Sequence, residues 1–137
     1  GGGWNVNLSG GDGADVVIGG RGMAKLAGGA SNDVFVFSFD DSAVGKTRDV
    51  ITDFHSHGLN EKAGGDALDL SSFEINTSLV GSQAFTFIGG DAFHDNGQGE
   101  VRFQNGIVYG DINGDGNADF EIALKGVAAL TDADFIW

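Results

Sequence analysis

The chain has 137 residues, 20 acidic against 7 basic side chains, a formal net charge of −13, 25 Gly, and neither Pro nor Cys. Such a charge repels phosphate backbones and anionic lipid surfaces, so the expectation is no nucleic-acid binding and no membrane insertion. Without Cys, disulfides, thiol nucleophiles and zinc–thiolate sites are excluded. No apolar run approaches the ~20 residues that span a bilayer. Of the 20 acids only Glu61, Glu74, Glu100 and Glu121 are Glu; the rest are Asp, whose short carboxylate suits turns and hard-cation sites close to the backbone.

Taken in nines, the first 36 residues read GGGWNVNLS, GGDGADVVI, GGRGMAKLA and GGASNDVFV. They fit the pattern G-G-x-G-x-D-x-U-x, with U a large apolar residue, at 16 of 20 constrained positions. The second unit is complete; the departures are Trp4, Val6, Ala24 and Ser31. In each unit the six-residue Gly-rich part predicts a tight turn and the last three residues a short strand with its apolar side chain inward. Two units make one coil, so residues 10–15 are expected over 28–33, and 1–6 over 19–24. One edge of this roll then carries Asp15 over Asp33. The other carries Val6 and Ala24, has no carboxylate, and is expected to be metal-poor. A divalent ion between stacked turns would be held by carbonyls and by the sixth-position Asp, an oxygen-only set that suits calcium. The alternative is a Gly-rich solenoid that needs no ion. Asp12 lies off the pattern and reads as a solvated charge.

Beyond Val36 the Gly density falls and apolar alternation appears. Strands are expected within 34–39, 49–54, 84–88, 100–103, 107–109 and 119–124, with the Phe residues as core. Residues 55–67, the most polar stretch, read as a flexible loop. Between the last two strands, GDINGDGNADFE places Asp111, Asn113, Asp115, Asn117 and Asp119 at positions 1, 3, 5, 7 and 9 of a loop, with Gly116 at position 6. That is the front half of an EF-hand-type calcium loop, though position 12 is Ile122 rather than a bidentate Glu and both flanks read as strands. A plain Asn-Gly/Asp-Gly hairpin turn is the other reading.

No catalytic constellation is apparent. HExxH and Gly-x-Ser-x-Gly are absent, and the Gly period of nine is neither a Walker nor a Rossmann fingerprint. His55, His57 and His94 read as solvated loop residues.

The run GGDGADVVI, NDVFVFS, DVITDF, DALDLSSF, AFTFIGGDAF, GDINGDGNADFEIAL and LTDADFIW resembles the C-terminal domain of serralysin-type metalloproteases and the RTX modules of related type I secreted proteins. The resemblance implies an all-β chain: a short parallel β-roll of nonapeptide repeats over 1–36, running into an antiparallel β-sandwich over 37–137 as one structural unit. It implies roll calcium held by the carbonyls of Gly10, Gly11, Gly13, Gly28, Gly29 and Ser31 with the carboxylates of Asp15 and Asp33. Asp49, Asp53, Asp66 and Asp69 resemble the family's roll-to-sandwich junction. The same likeness implies a non-catalytic, calcium-binding module secreted from a Gram-negative bacterium. Its partners would be calcium ions, an upstream domain of the same polypeptide, and the type I machinery that reads a terminal signal of the form Asp134-Phe135-Ile136-Trp137, a tail that also reads as a last core strand. The alternative function is to bind a polysaccharide or cell surface. A purely structural adhesin terminus is a third.

Overall fold

A strand three residues long buries one side chain, so nonapeptide strands are stable only when stacked in sheets. The computed structural model describes residues 6–38, 44–45, 48–56, 65–71, 85–95 and 98–137. Its strands are β1 (Val6–Asp12), β2 (Val16–Ile18), β3 (Ala24–Ala30), β4 (Val34–Val36), β5 (Asp49–Ile51), β6 (Ala67–Asp69), β7 (Thr86–Phe87), β8 (Glu100–Gln104), β9 (Ile107–Asp111), β10 (Phe120–Leu124) and β11 (Phe135–Ile136). They form a seven-stranded sheet, β1-β3-β5-β10-β9-β8-β7, and a four-stranded sheet, β11-β6-β4-β2. The chain is all-β, as expected.

From β1 to β6 successive strands enter the two sheets alternately, which makes a coil wrapped around one core. Val6 pairs with Ala24 and Val16 with Val34, both in parallel, so the stacking register is eighteen residues. The inward positions Val17, Leu26 and Phe35 are buried, whereas Val16 and Ile18 are 66% and 59% exposed. That is the period-2 alternation the repeats require.

Two features differ from the sequence-based picture. Parallel pairing continues past residue 36, because β3 pairs with β5 and β4 with β6 in the same sense. Among the strands of the described residues, antiparallel pairing is confined to β8–β9–β10, while β10 joins β5 and β11 joins β6 in parallel. Apolar alternation marks a strand but carries no direction. Direction is set here by connections that cross from sheet to sheet and so return each strand in the same sense. The polar stretch at 55–67 falls largely outside the described residues, as do residues 1–5 and His57.

The second half closes the core. β8 and β9 meet at Asn105–Gly106, both at positive φ (54° and 76°), the conformation a two-residue hairpin demands. Phe120 lies across Gly110, where a Cβ would strike the ring, and packs edge-on to Phe85 at 5.9 Å between centroids. The chain end is a core strand: Phe135 is buried against Leu68, and its ring stacks on Trp137 at 4.8 Å. Asp134 is fully buried and accepts hydrogen bonds from the Thr131 N–H (2.7 Å) and the Ser56 hydroxyl (2.8 Å).

Candidate metal centre

The turn at 10–15 stacks directly on the turn at 28–33, since Gly11 pairs with Gly29 and Asp12 with Ala30. Positive φ recurs at the second and fourth positions of each turn: Gly11 (108°) and Gly13 (102°), then Gly29 (104°) and Ser31 (85°). The first Gly of each unit has a different role. At Gly10 an added Cβ would sit 2.6 Å from Asp15 Oδ2, and at Gly28 it would strike the Asp33 carboxylate. The sixth-position Asp therefore folds back over the first residue of its own turn, and one contact explains both ends of the GGxGxD pattern.

Between the turns the carboxylates are used asymmetrically. Asp33 Oδ1 accepts the Asp15 N–H at 2.9 Å. The second oxygens, Asp15 Oδ2 and Asp33 Oδ2, are buried and have no hydrogen-bond partner. Leaving buried acceptors without donors costs free energy that ordinary folding avoids. Two anionic oxygens on adjacent turns, with the turn carbonyls around them, form the donor set a hard cation would satisfy.

The ladder extends beyond the repeats. Asp66 Oδ1 accepts the Asp33 N–H at 2.9 Å, repeating one coil on what Asp33 does for Asp15. On the opposite edge, where Ala24 replaces Asp, Asp49 Oδ1 accepts the Ala24 N–H at 2.7 Å. Asp53 grips the next layer, its two oxygens accepting Gly28 N–H and Gly29 N–H at 2.9 Å each. The repeat search misses these residues because their spacings from the stacked partner are 33 and 25 rather than 18; a search for Asp beside short apolar strands would have found them. Asp69 instead caps Ser71, accepting its N–H at 2.9 Å. Asp12 is exposed, as its off-pattern place suggested.

The loop at 111–119 closes the β9–β10 hairpin. Asp111 is buried and accepts the N–H groups of Gly114 and Gly116, both at 2.8 Å, which holds the sharp turn that Gly116 makes at φ 85°. Asp119 accepts the Ile112 N–H at 2.7 Å, Asn113 the Asp115 N–H at 3.2 Å, and Asp115 the Asn117 N–H at 2.9 Å. Asp95, unnoticed in the sequence, bridges Asp115 in antiparallel fashion. Ile122, at position 12, is buried in the core. Among the described residues, no three Asp, Glu or His side chains converge as a metal-ligand group. The loop carboxylates thus all accept hydrogen bonds from within the turn, Asp111 through both of its oxygens, and the loop's hydrogen-bonding is self-contained in a way the roll's is not. His55 and His94 each lie against one carboxylate, Asp66 at 3.8 Å and Glu100 at 2.8 Å.

A family model described as the peptidase M10 serralysin C terminal matches residues 4–137. The chain belongs to the serralysin C-terminal family. This family supplies the non-catalytic C-terminal module of secreted proteins. A comparison with individually curated proteins gave no match. No helix of the described residues is long and apolar enough to cross a membrane.

Within the serralysin C-terminal fold, Ser31 is the turn residue under strain, because a Cβ at positive φ costs about 1 kcal/mol or more. Ser31→Gly is expected to raise stability by about 1 kcal/mol, read from urea midpoints at unchanged slope. Burial pushes the carboxyl of Asp66 above its ordinary 3.8, its hydrogen bonds from His55 and Asp33 opposing the shift. Burial does the same to Asp111, with Asp115 and Asp119 adding repulsion against the bonds from Gly116 and Gly114. A raised folded pKa stabilises the fold below the unfolded value and loses that contribution as pH rises through the folded value. The Asp66 and Asp111 contributions to the metal-free protein's stability should therefore be lost as pH rises above about 4. Metal requires the deprotonated carboxylates, so stabilisation by calcium should grow over the same interval; thermal melts with chelator and with calcium check both slopes.

Proposed function

We propose that this chain is a calcium-dependent folding and export module for an upstream domain of the same polypeptide, secreted through a type I exporter of a Gram-negative bacterium. The observation that carries this reading is the pair of buried, donorless oxygens, Asp15 Oδ2 and Asp33 Oδ2, on stacked turns. When bound there, calcium supplies positive charge and multidentate oxygen coordination between the turns. Asp15 and Asp33 would hold it through their free oxygens, with the carbonyls of Gly10, Gly11, Gly13, Gly28, Gly29 and Ser31 as further donors. Gly10 and Gly28 leave room for those carboxylates, and Asp66 and Asp53 fix the lower turn from beneath. The self-capped loop from Asp111 to Asp119 would be a second calcium position, with Asn113, Asp115 and Asn117 between.

Extracellular calcium modules have Kd near 10⁻⁴ to 10⁻³ M, so such sites stay empty at cytosolic calcium and fill outside. Because the roll turns exist only in the folded chain, binding energy becomes folding energy there. The chain would pass the exporter unfolded and fold on arrival.

The test is to attach the chain to a carrier domain in a host with a type I exporter, in medium with millimolar calcium or with chelator. The carrier should reach the medium in both cases, and resist limited proteolysis of the module only with calcium. Equal proteolysis in both media would sink the calcium switch. Export that survives removal of residues 134–137 would sink the exporter assignment. For the loop, Asp115→Ala should remove one calcium equivalent in calorimetry and leave the roll's equivalent in place; unchanged stoichiometry would favour the plain hairpin turn.

A further inference from the structure

The loop between β9 and β10 contains two dipeptides prone to cyclise on themselves, Asn113–Gly114 and Asp115–Gly116. In such a pair the backbone nitrogen of the Gly can attack the side-chain carbonyl carbon of the residue before it, because Gly has no Cβ to block the approach. The attack requires the Gly N–H to lose its proton and its peptide plane to turn toward that carbon. Here one carboxylate holds both nitrogens. Asp111 Oδ1 accepts the Gly114 N–H and Oδ2 accepts the Gly116 N–H, each at 2.8 Å. Asp111 is buried, so these bonds are shielded from water, and Gly114 is buried with it. Asn113 itself is exposed, its side-chain oxygen accepting the Asp115 N–H at 3.2 Å. The reactive side chain is open to water while its attacking nitrogen is clamped.

We propose that Asn113 is a deamidation site gated by Asp111, closed while the Asp111 carboxylate holds the Gly114 N–H and open when it lets go. In the open loop the Gly114 nitrogen bonds to Asn113 Cγ, the Cγ–Nδ2 bond breaks, and the side-chain nitrogen leaves as ammonia. Water then opens the cyclic imide at either of its carbonyls, which leaves Asp or isoaspartate at position 113. Water is the one co-reactant, and no oxidation or reduction takes place. The two products act on the loop in opposite ways. Asp at this position adds a carboxylate to those of Asp111, Asp115 and Asp119. Isoaspartate routes the main chain through the side-chain carbon and breaks the spacing that lets Asp111 reach both glycines. This chemistry stands whether or not the loop takes calcium.

The test is peptide-level mass spectrometry of the whole chain after incubation at mildly alkaline pH, with Asn105–Gly106 as the reference pair. Asn105 is exposed too, and it lies at the far end of β9 from the loop. Opening breaks a hydrogen bond to a charged group, so conversion at Asn113 should run about tenfold or more slower in the folded chain than in urea. Asp111→Ala should raise the folded rate at Asn113 by about tenfold, and the Asn105 rate by less than about twofold. Asp111→Asn, which keeps one accepting oxygen, should fall between, again at Asn113 alone. Equal rates at Asn113 with and without urea overturn the proposal. So does an Asn113 rate that is unchanged in both variants, or that rises only in step with Asn105 in both.

Discussion

Chelation of calcium should accelerate amide exchange at Val17, Leu26 and Phe35 by about a hundredfold, while Val108 and Ile122 exchange at rates much closer to those of the loaded protein. The reason lies in what each half of the molecule buries. Val17, Leu26 and Phe35 are the buried large side chains of the repeats, with Val6 and Leu8 partly covered. Against them stand the Gly of four turns, whose ordering costs more conformational entropy than any other residue. The Asp15, Asp33 and Asp66 carboxylates also stack on one edge with little or no exposure for the last two. At calcium about 100 times Kd, one site adds about 2.7 kcal/mol, which corresponds to that hundredfold change in the open fraction. The second half relies instead on Phe85, Val101, Phe103, Phe120, Ile122 and Leu124. Uniform exchange in both conditions would show that the coil needs no metal.

Two substitutions at Asp33 should separate its roles. Asp33→Asn keeps an oxygen to accept the Asp15 N–H and removes the charge. Its metal-free stability should match or exceed that of the parent, because a buried carboxylate without a cation is costly, yet the gain of about 2.7 kcal/mol on adding calcium at 100 times the parent Kd should disappear. Asp33→Ala also strands the Asp15 N–H, and should lower the metal-free stability by a further 1 to 3 kcal/mol or so. Urea unfolding of both variants, with and without calcium, gives four numbers. A calcium gain in Asp33→Asn equal to the parent's would remove Asp33 from the ligand set.

The parts of the fold that follow a strict local period could be read from the residues. The nine-residue repeat gave the coil, the eighteen-residue register that joins Val6 to Ala24, and the inward face of Val17, Leu26 and Phe35. Alternation located β8, β9 and β10, and the Asp111–Asp119 loop does lie between strands. What escaped was non-local. β6 is Ala-Leu-Asp, too short for a pattern, and is a strand through its parallel neighbours. Asp49 and Asp66 act on Ala24 and Asp33 across intervals that break the period, so resemblance alone pointed to them. Ser31 was visible as a departure from Gly, but its retained positive φ was not.

The placement of the last strand has a kinetic consequence. The coil pairs residues 18 apart, whereas Phe135 must find Leu68, 67 residues away, and Ile122 must find Asp49, 73 residues away. Loop closure over such distances slows folding, so the coil and the closing strands should assemble on different timescales. Trp137 sits at the slow end of that sequence, stacked on Phe135, 6.3 Å from Phe85 and donating its indole N–H to Asp132 at 3.0 Å. With Trp4 replaced by Phe, its emission becomes a single-site clock for closure. After a calcium jump, that signal should lag behind the circular dichroism of the coil.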